Sequence, residues 1–154
     1  MIKQKHQKLK KINPQKGEKG QSLIELAISL VILLILLAGI VDLGRVSFYY
    51  IAMRDAAQEG ATYGTVYPNH CFAIEDRVRA GVVDNSTVNV SISVNGENCL
   101  SAVSTDACEG KVIAVTVSDP DFPITMPLLG SFLGSQTISL ETTIEDTILR
   151  PGCD

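Results

Sequence analysis

The sequence predicts an α+β protein: a long N-terminal transmembrane helix that continues into a small ectodomain with a three-stranded antiparallel sheet and short helices. Three observations carry this prediction. Residues 26–41, LAISLVILLILLAGIV, form an uncharged run in which twelve of sixteen residues are Leu, Ile or Val. Three later segments carry strand patterning, two of them in clear alternation with period two. All four cysteines lie downstream of the run, in a part of the chain rich in acids.

The helix comes first. Sixteen helical residues are about 24 Å long, short of a hydrocarbon core of about 30 Å. Extending the span over residues 22–44 gives roughly 34 Å and brings in Glu25 at one end and Asp42 at the other. Twelve Leu, Ile and Val residues favour insertion by about 4–7 kcal/mol, whereas an acid at the centre costs about 2.5–3.5 kcal/mol and less near an end. Insertion therefore wins. The run is apolar all round rather than striped, unlike the core helix of a soluble protein.

Orientation follows from charge. Lys3, Lys5, Lys8, Lys10, Lys11, Lys16 and Lys19 precede the span and mark the N-terminus as cytoplasmic. Beyond Gly44 stand six Lys and Arg against fourteen Asp and Glu, a formal charge of −8. The expected location is the cytoplasmic (inner) membrane, single-pass, with the C-terminal domain outside. A basic tail beside a span is a topology signal rather than a nucleic-acid arm. Residues 1–20 read as a basic leader, 21–66 as the span and its extension, and 67–154 as a disulfide-stapled ectodomain. No small-x-small site for ordinary signal peptidase follows the run.

No proline interrupts residues 21–67, so the helix is expected to reach about Val66. Small residues recur at helical spacing at Ala56, Gly60 and Gly64 and at Ala57, Ala61 and Thr65. Such a face admits close approach by another element. The alternative is that Gly60 and Gly64 end the helix early as caps. Phe48, Tyr49 and Tyr50 read as an interfacial aromatic belt.

Residues 71–83 have apolar positions at Phe72, Ile74, Val78 and Val82, as in a short amphipathic helix. Residues 87–94 (TVNVSISV) are expected to form the first strand and Asn95–Gly96 a turn. Residues 111–118 (KVIAVTVS) form the second, ended by Asp119–Pro120, and residues 136–148 the third. Residues 126–134 (MPLLGSFLG) predict a short helix on the sheet or the membrane surface. Four cysteines allow three pairings. Cys99 and Cys108 flank one loop between paired strands, which favours Cys99–Cys108 and leaves Cys71–Cys153. A zinc site is disfavoured because the paired C-x2-C spacing is missing.

Catalytic chemistry finds no motif. His6 falls on the cytoplasmic side, and His70 adjoins Cys71 but lacks a recognisable nucleophile motif. Asp119, Asp121, Glu141, Glu145 and Asp146 lack a cation-loop pattern and read as a solvated acidic face. No phosphate-binding glycine loop is present. The expectation is a non-enzymatic protein with no cofactor and no metal.

The start of the chain is more specific. Gly20 ends the basic leader, Glu25 is the fifth residue after it, and the apolar run follows at once. This arrangement resembles a type IV prepilin leader, which implies cleavage of the Gly20–Gln21 bond by a prepilin peptidase. An acid at the membrane edge is costly unless paired. The freed amine of a neighbouring subunit would be a suitable partner for Glu25. Residues 20–65 as a whole resemble the TadE-like family, pilin-like (pseudopilin) components of tight-adherence, Flp-type pilus systems. The matching features are Gly20–Gln21–Ser22, Glu25, the apolar run, Asp42–Leu43–Gly44–Arg45 and the box Ala56–Ala57–Gln58–Glu59–Gly60–Ala61–Thr62–Tyr63. The chain departs from the family at Leu26, where an aromatic is usual, and at Val31, where a proline is usual. The resemblance implies a structural role in pilus assembly, with other pilin-like subunits and the assembly machinery as partners. The alternative from a different class is a membrane-anchored binding module or adhesin with no pilus role.

Overall fold

A computed structural model describes residues 18–83, 86–103, 105–126, 130, 134–150 and 152. Helix α1 runs over Glu18–Gly64 and helix α2 over Cys71–Gly81. Strands β1 (Asn89–Val94), β2 (Glu97–Asn98), β3 (Val112–Pro123) and β4 (Thr137–Thr147) follow. They form one antiparallel sheet in the order β2-β1-β3-β4. The fold is α+β as expected, with four strands rather than three. By packing, the chain divides into residues 1–37 and 38–154. The compact unit thus takes in the second half of α1.

The added strand comes from the Asn95–Gly96 turn. Both residues have positive φ, 54° and 88°, which is the two-residue hairpin geometry whose twist matches that of paired strands. Asn and Gly tolerate that region, so the chain folds back and Glu97 pairs with Val94. Strand β3 does not stop at Asp119–Pro120 as its sequence predicted. It continues to Pro123 across a register shift, with Asp119 opposite Leu140 and Phe122 opposite Ile138. One extra residue on β3 makes this a bulge, and Pro120 falls where the ladder is interrupted and needs no N–H.

Alternation along β3 turns Ile113, Val115, Val117 and Asp119 inward. Val94 and Ile92 from β1 join them, together with Ile74 and Val78 from α2 and Met53 from α1. The expected helix at residues 71–83 is present, but Phe72 stands 71% exposed instead of packing. The inward arc of so short a helix is filled by Cys71, Ile74 and Val78, one turn apart.

Helix α1 passes through Gly60 and ends at Gly64. The next carbonyl, Thr65 O, accepts the backbone N–H groups of Leu149 (2.8 Å) and Arg150 (3.2 Å), so the chain after β4 satisfies an acceptor that the helix end leaves open. The expected helix at residues 126–134 falls largely outside the described residues, as does the leader up to residue 17.

Candidate functional site: the two halves of the long helix

The first half of α1 is distinguished by what it does not bury. Large aliphatic side chains from Leu23 to Leu37 are, with the exception of Ile35, each more than half exposed. A continuous apolar surface of this kind far exceeds the patches that soluble monomers tolerate. Among the described residues one helix, residues 20–64, is long and apolar enough to cross a membrane. Gly20, Gln21 and Glu25 lie on this half, inside the helix and exposed. A Cβ at Gly20 would meet nothing within 4 Å.

The second half is the core helix of the domain. Asp42, Tyr49, Met53, Ala56, Ala57, Gly60, Ala61 and Gly64 are buried and, with the half-buried Val46 between the first two, follow the helical repeat in one stripe. The predicted small-residue face (Ala56, Ala57, Gly60, Ala61, Gly64) is therefore turned inward. Its contacts explain the residue sizes. A Cβ at Gly60 would collide with Val78 Cγ2 of α2 and stand 3.4 Å from Ile74 Cγ2. One at Gly64 would collide with Ile113 Cδ1 of β3. The same closeness holds from the other side, where a Cβ at Gly81 of α2 would lie 3.0 Å from Ala56 Cβ.

Two acids hold the N-terminal end of this packing. Asp42 is 6% exposed, although the sequence placed it at the end of a lipid span. Its carboxylate accepts the Thr125 hydroxyl and the Met126 backbone N–H, and Arg45 Nη1 stands 3.4 Å away. The chain after β3 thus folds back over the helix and supplies donors to an acid that could not be left dry and unpaired. Asp119 is 2% exposed, which removes it from the expected solvated acidic face. It accepts the Tyr49 hydroxyl at 2.9 Å and the Thr87 hydroxyl at 3.2 Å, and its other oxygen takes the Asp121 N–H at 3.2 Å. The Tyr49 ring packs against Phe122 at a tilt of 36°, with centroids 4.7 Å apart. Tyr49 therefore does not belong to the aromatic belt, whereas Phe48 and Tyr50 beside it remain exposed. Sequence reasoning missed both acids. The available signal was that Asp42, Tyr49 and Met53 lie on one helical line, which runs on into the small-residue stripe.

At the far end the cysteines pair differently from expectation. Cys71 and Cys99 are bridged, with Cα atoms 5.9 Å apart. The turn after β2 lays Cys99 against the first turn of α2, and the Cys99 N–H donates to Ile92 O at 2.9 Å. This corrects both expected bridges, Cys99–Cys108 and Cys71–Cys153. Cys108 is also disulfide-bonded, and Cys153 lies outside the described residues.

A crevice of about 400 Å³ opens beside the Tyr49–Asp119 pair, lined also by Arg45, Thr87, Asp121 and Phe122. Its hydroxyls and Asp119 are engaged with one another, an arrangement that fixes the helix to the sheet. Among the described residues no group of three or more His, Cys, Asp or Glu is placed to hold a metal ion.

An apolar helix of membrane-crossing length, whose second half is the core of an α+β domain, is compatible with a single-pass membrane protein. The comparisons give the particular kind. The family model described as TadE-like protein matches residues 20–62, from the start of the apolar half into the last turns of α1. The match shows what those residues are similar to, and it supports a component associated with tight-adherence pili. No curated protein and no solved structure matches the chain.

Proposed function

We propose that this protein is a TadE-like minor pilin or pseudopilin, a non-enzymatic, membrane-anchored subunit that takes part in assembling a tight-adherence (Flp-type) pilus or a related secretion system. The observation that carries this reading is the coincidence of the family match with α1, covering both the exposed apolar half and the half locked into the domain. In this reading residues 1–20 are a cytoplasmic leader, the helix crosses the inner membrane once, and residues 67–154 lie outside. Prepilin peptidase cuts the Gly20–Gln21 bond. Glu25, at the membrane edge, pairs with the freed amine of a neighbouring subunit, which removes the cost of an unpaired acid there. The partners are the membrane, other pilin-like subunits and the assembly machinery.

The test is direct. N-terminal sequencing of the protein from its native membrane is expected to begin at Gln21, and Glu25→Ala to abolish pilus assembly while leaving the folded domain intact. An N-terminus at Met1, together with normal pili from the Glu25→Ala strain, would leave an anchored binding module without a pilus role as the better reading.

A further inference from the structure

The face of α1 opposite the buried stripe stays apolar well beyond Asp42. Ile40, Leu43, Phe48 and Ile51 are each more than half exposed, and Val41 and Tyr50 flank them. Ser47 and the Tyr50 hydroxyl are the polar groups on this side. The charges in the same stretch are drawn off it. Asp42 is closed under Thr125 and Met126, while Arg45 turns its guanidinium back toward Asp42 and over the Phe122 ring, 5.7 Å from the centroid. The next exposed charges on the helix are Arg54 and Asp55.

We propose that the outward face of α1 from Ile40 to Ile51 is a lipid-contacting surface, so that the bilayer interface rises along one side of the domain's own core helix for about two turns beyond Asp42. This rests on the membrane-anchor reading and extends it. The lengths agree. A helix from Leu23 to Leu43 measures about 32 Å, the thickness of the hydrocarbon core, and from Leu23 to Ile51 about 43 Å, the thickness with the polar interfaces included. Phe48 and Tyr50 then fall at the level where aromatic rings collect. Asp42 is hydrogen-bonded as an acid beside a low-dielectric layer must be. Lipid fits this face better than another helix does. Helices that pack in membranes meet through runs of small residues, and here that run, Ala56 to Gly64, is on the inner face, whereas the outer one, Gly44 and Ser47 apart, carries bulky aliphatics and Phe48. In consequence the Ile124–Met126 segment, which closes over Asp42, sits at the membrane surface.

The chain contains no tryptophan, so single Trp replacements report depth without background. The full chain carrying Phe48→Trp, Ile51→Trp, Val31→Trp or Gln58→Trp would be reconstituted in phosphatidylcholine vesicles with bromine-labelled acyl chains. Val31→Trp is expected to be quenched by deep bromines. Phe48→Trp and Ile51→Trp are expected to emit to the blue of Gln58→Trp and to lose most of their emission to shallow bromines. If Phe48→Trp and Ile51→Trp emit like Gln58→Trp and escape quenching while Val31→Trp is quenched, the anchor stands and this proposal falls. Blue emission at both positions without lipid quenching would mean that a second copy covers the face, which also overturns it. An unquenched Val31→Trp would remove the membrane anchor itself.

Discussion

Gly60→Ala sets two known effects against each other at one position. Within a helix the change should stabilise by about 1 kcal/mol, because glycine gives up more backbone freedom on folding than alanine. At Gly60 the new Cβ would collide with Val78 Cγ2 and meet Ile74 Cγ2 at 3.4 Å and Ile74 O at 3.6 Å. Val78 is fully buried in α2, and a β-branched side chain in a helix has one strongly preferred rotamer, so it cannot swing aside. Overpacking of this kind costs about 1–3 kcal/mol. The net expectation is a loss of about 1 kcal/mol, a fall in Tm of roughly 3–5 °C for a domain of this size. Two glycines of the same helix calibrate the result. A Cβ at Gly44 meets nothing within 4 Å, so Gly44→Ala should not destabilise. At Gly64 the obstacle is Ile113 Cδ1, the far end of a longer side chain that can rotate, so Gly64→Ala should fall between the two. Thermal unfolding of the full-length variants in one detergent, followed by circular dichroism, gives the order Gly44→Ala, Gly64→Ala, Gly60→Ala from most to least stable. Gly60→Ala as stable as Gly44→Ala would refute close packing of α2 on this face.

Two further perturbations test the locks at either end. Tyr49→Phe keeps the ring on Phe122 but removes a hydroxyl that donates to a buried carboxylate, so it should cost about 1.5–3 kcal/mol in urea unfolding. The penalty should shrink in an Asp119→Asn background, and an unchanged penalty there would mean that the hydroxyl acts elsewhere. Non-reducing peptide mapping should join Cys71 to Cys99. Replacing that pair by serine should lose about 3.5 kcal/mol on the chain-entropy model for a 28-residue separation. A Cys99–Cys108 peptide would contradict the fold around β2.

Much of this molecule is legible in its sequence because local chemistry decides it. A run of twelve Leu, Ile and Val in sixteen residues has no soluble solution as an exposed helix, whatever follows it. Period-two alternation in residues 87–94 puts Ile92 and Val94 on one face before any partner is known. Asn95–Gly96 specifies its own turn, although β2, only two residues long, carries no periodicity by which a strand could be recognised. Pro120 misled the strand boundary because a proline ends a ladder unless a bulge absorbs it, and the bulge depends on the register with β4.

What the sequence could not decide depends on which distant residues meet. Two cysteines 28 residues apart became neighbours because the β1–β2 turn carries Cys99 against α2, whereas loop length alone favoured the nearer partner. Asp42 read as a cost at the end of a span until Thr125 and Met126, more than eighty residues later, proved to supply its donors. Asp119 looked like one of several solvated acids until Tyr49 proved to face it. By itself the sequence determined that there is an apolar helix, which side of the chain carries the domain, and the strand character of that domain. These follow from composition and periodicity, which act residue by residue. Tertiary structure decided that the same helix is also the domain's core, because burying an acid or a glycine is favourable only once the partner that satisfies or fills it is in place.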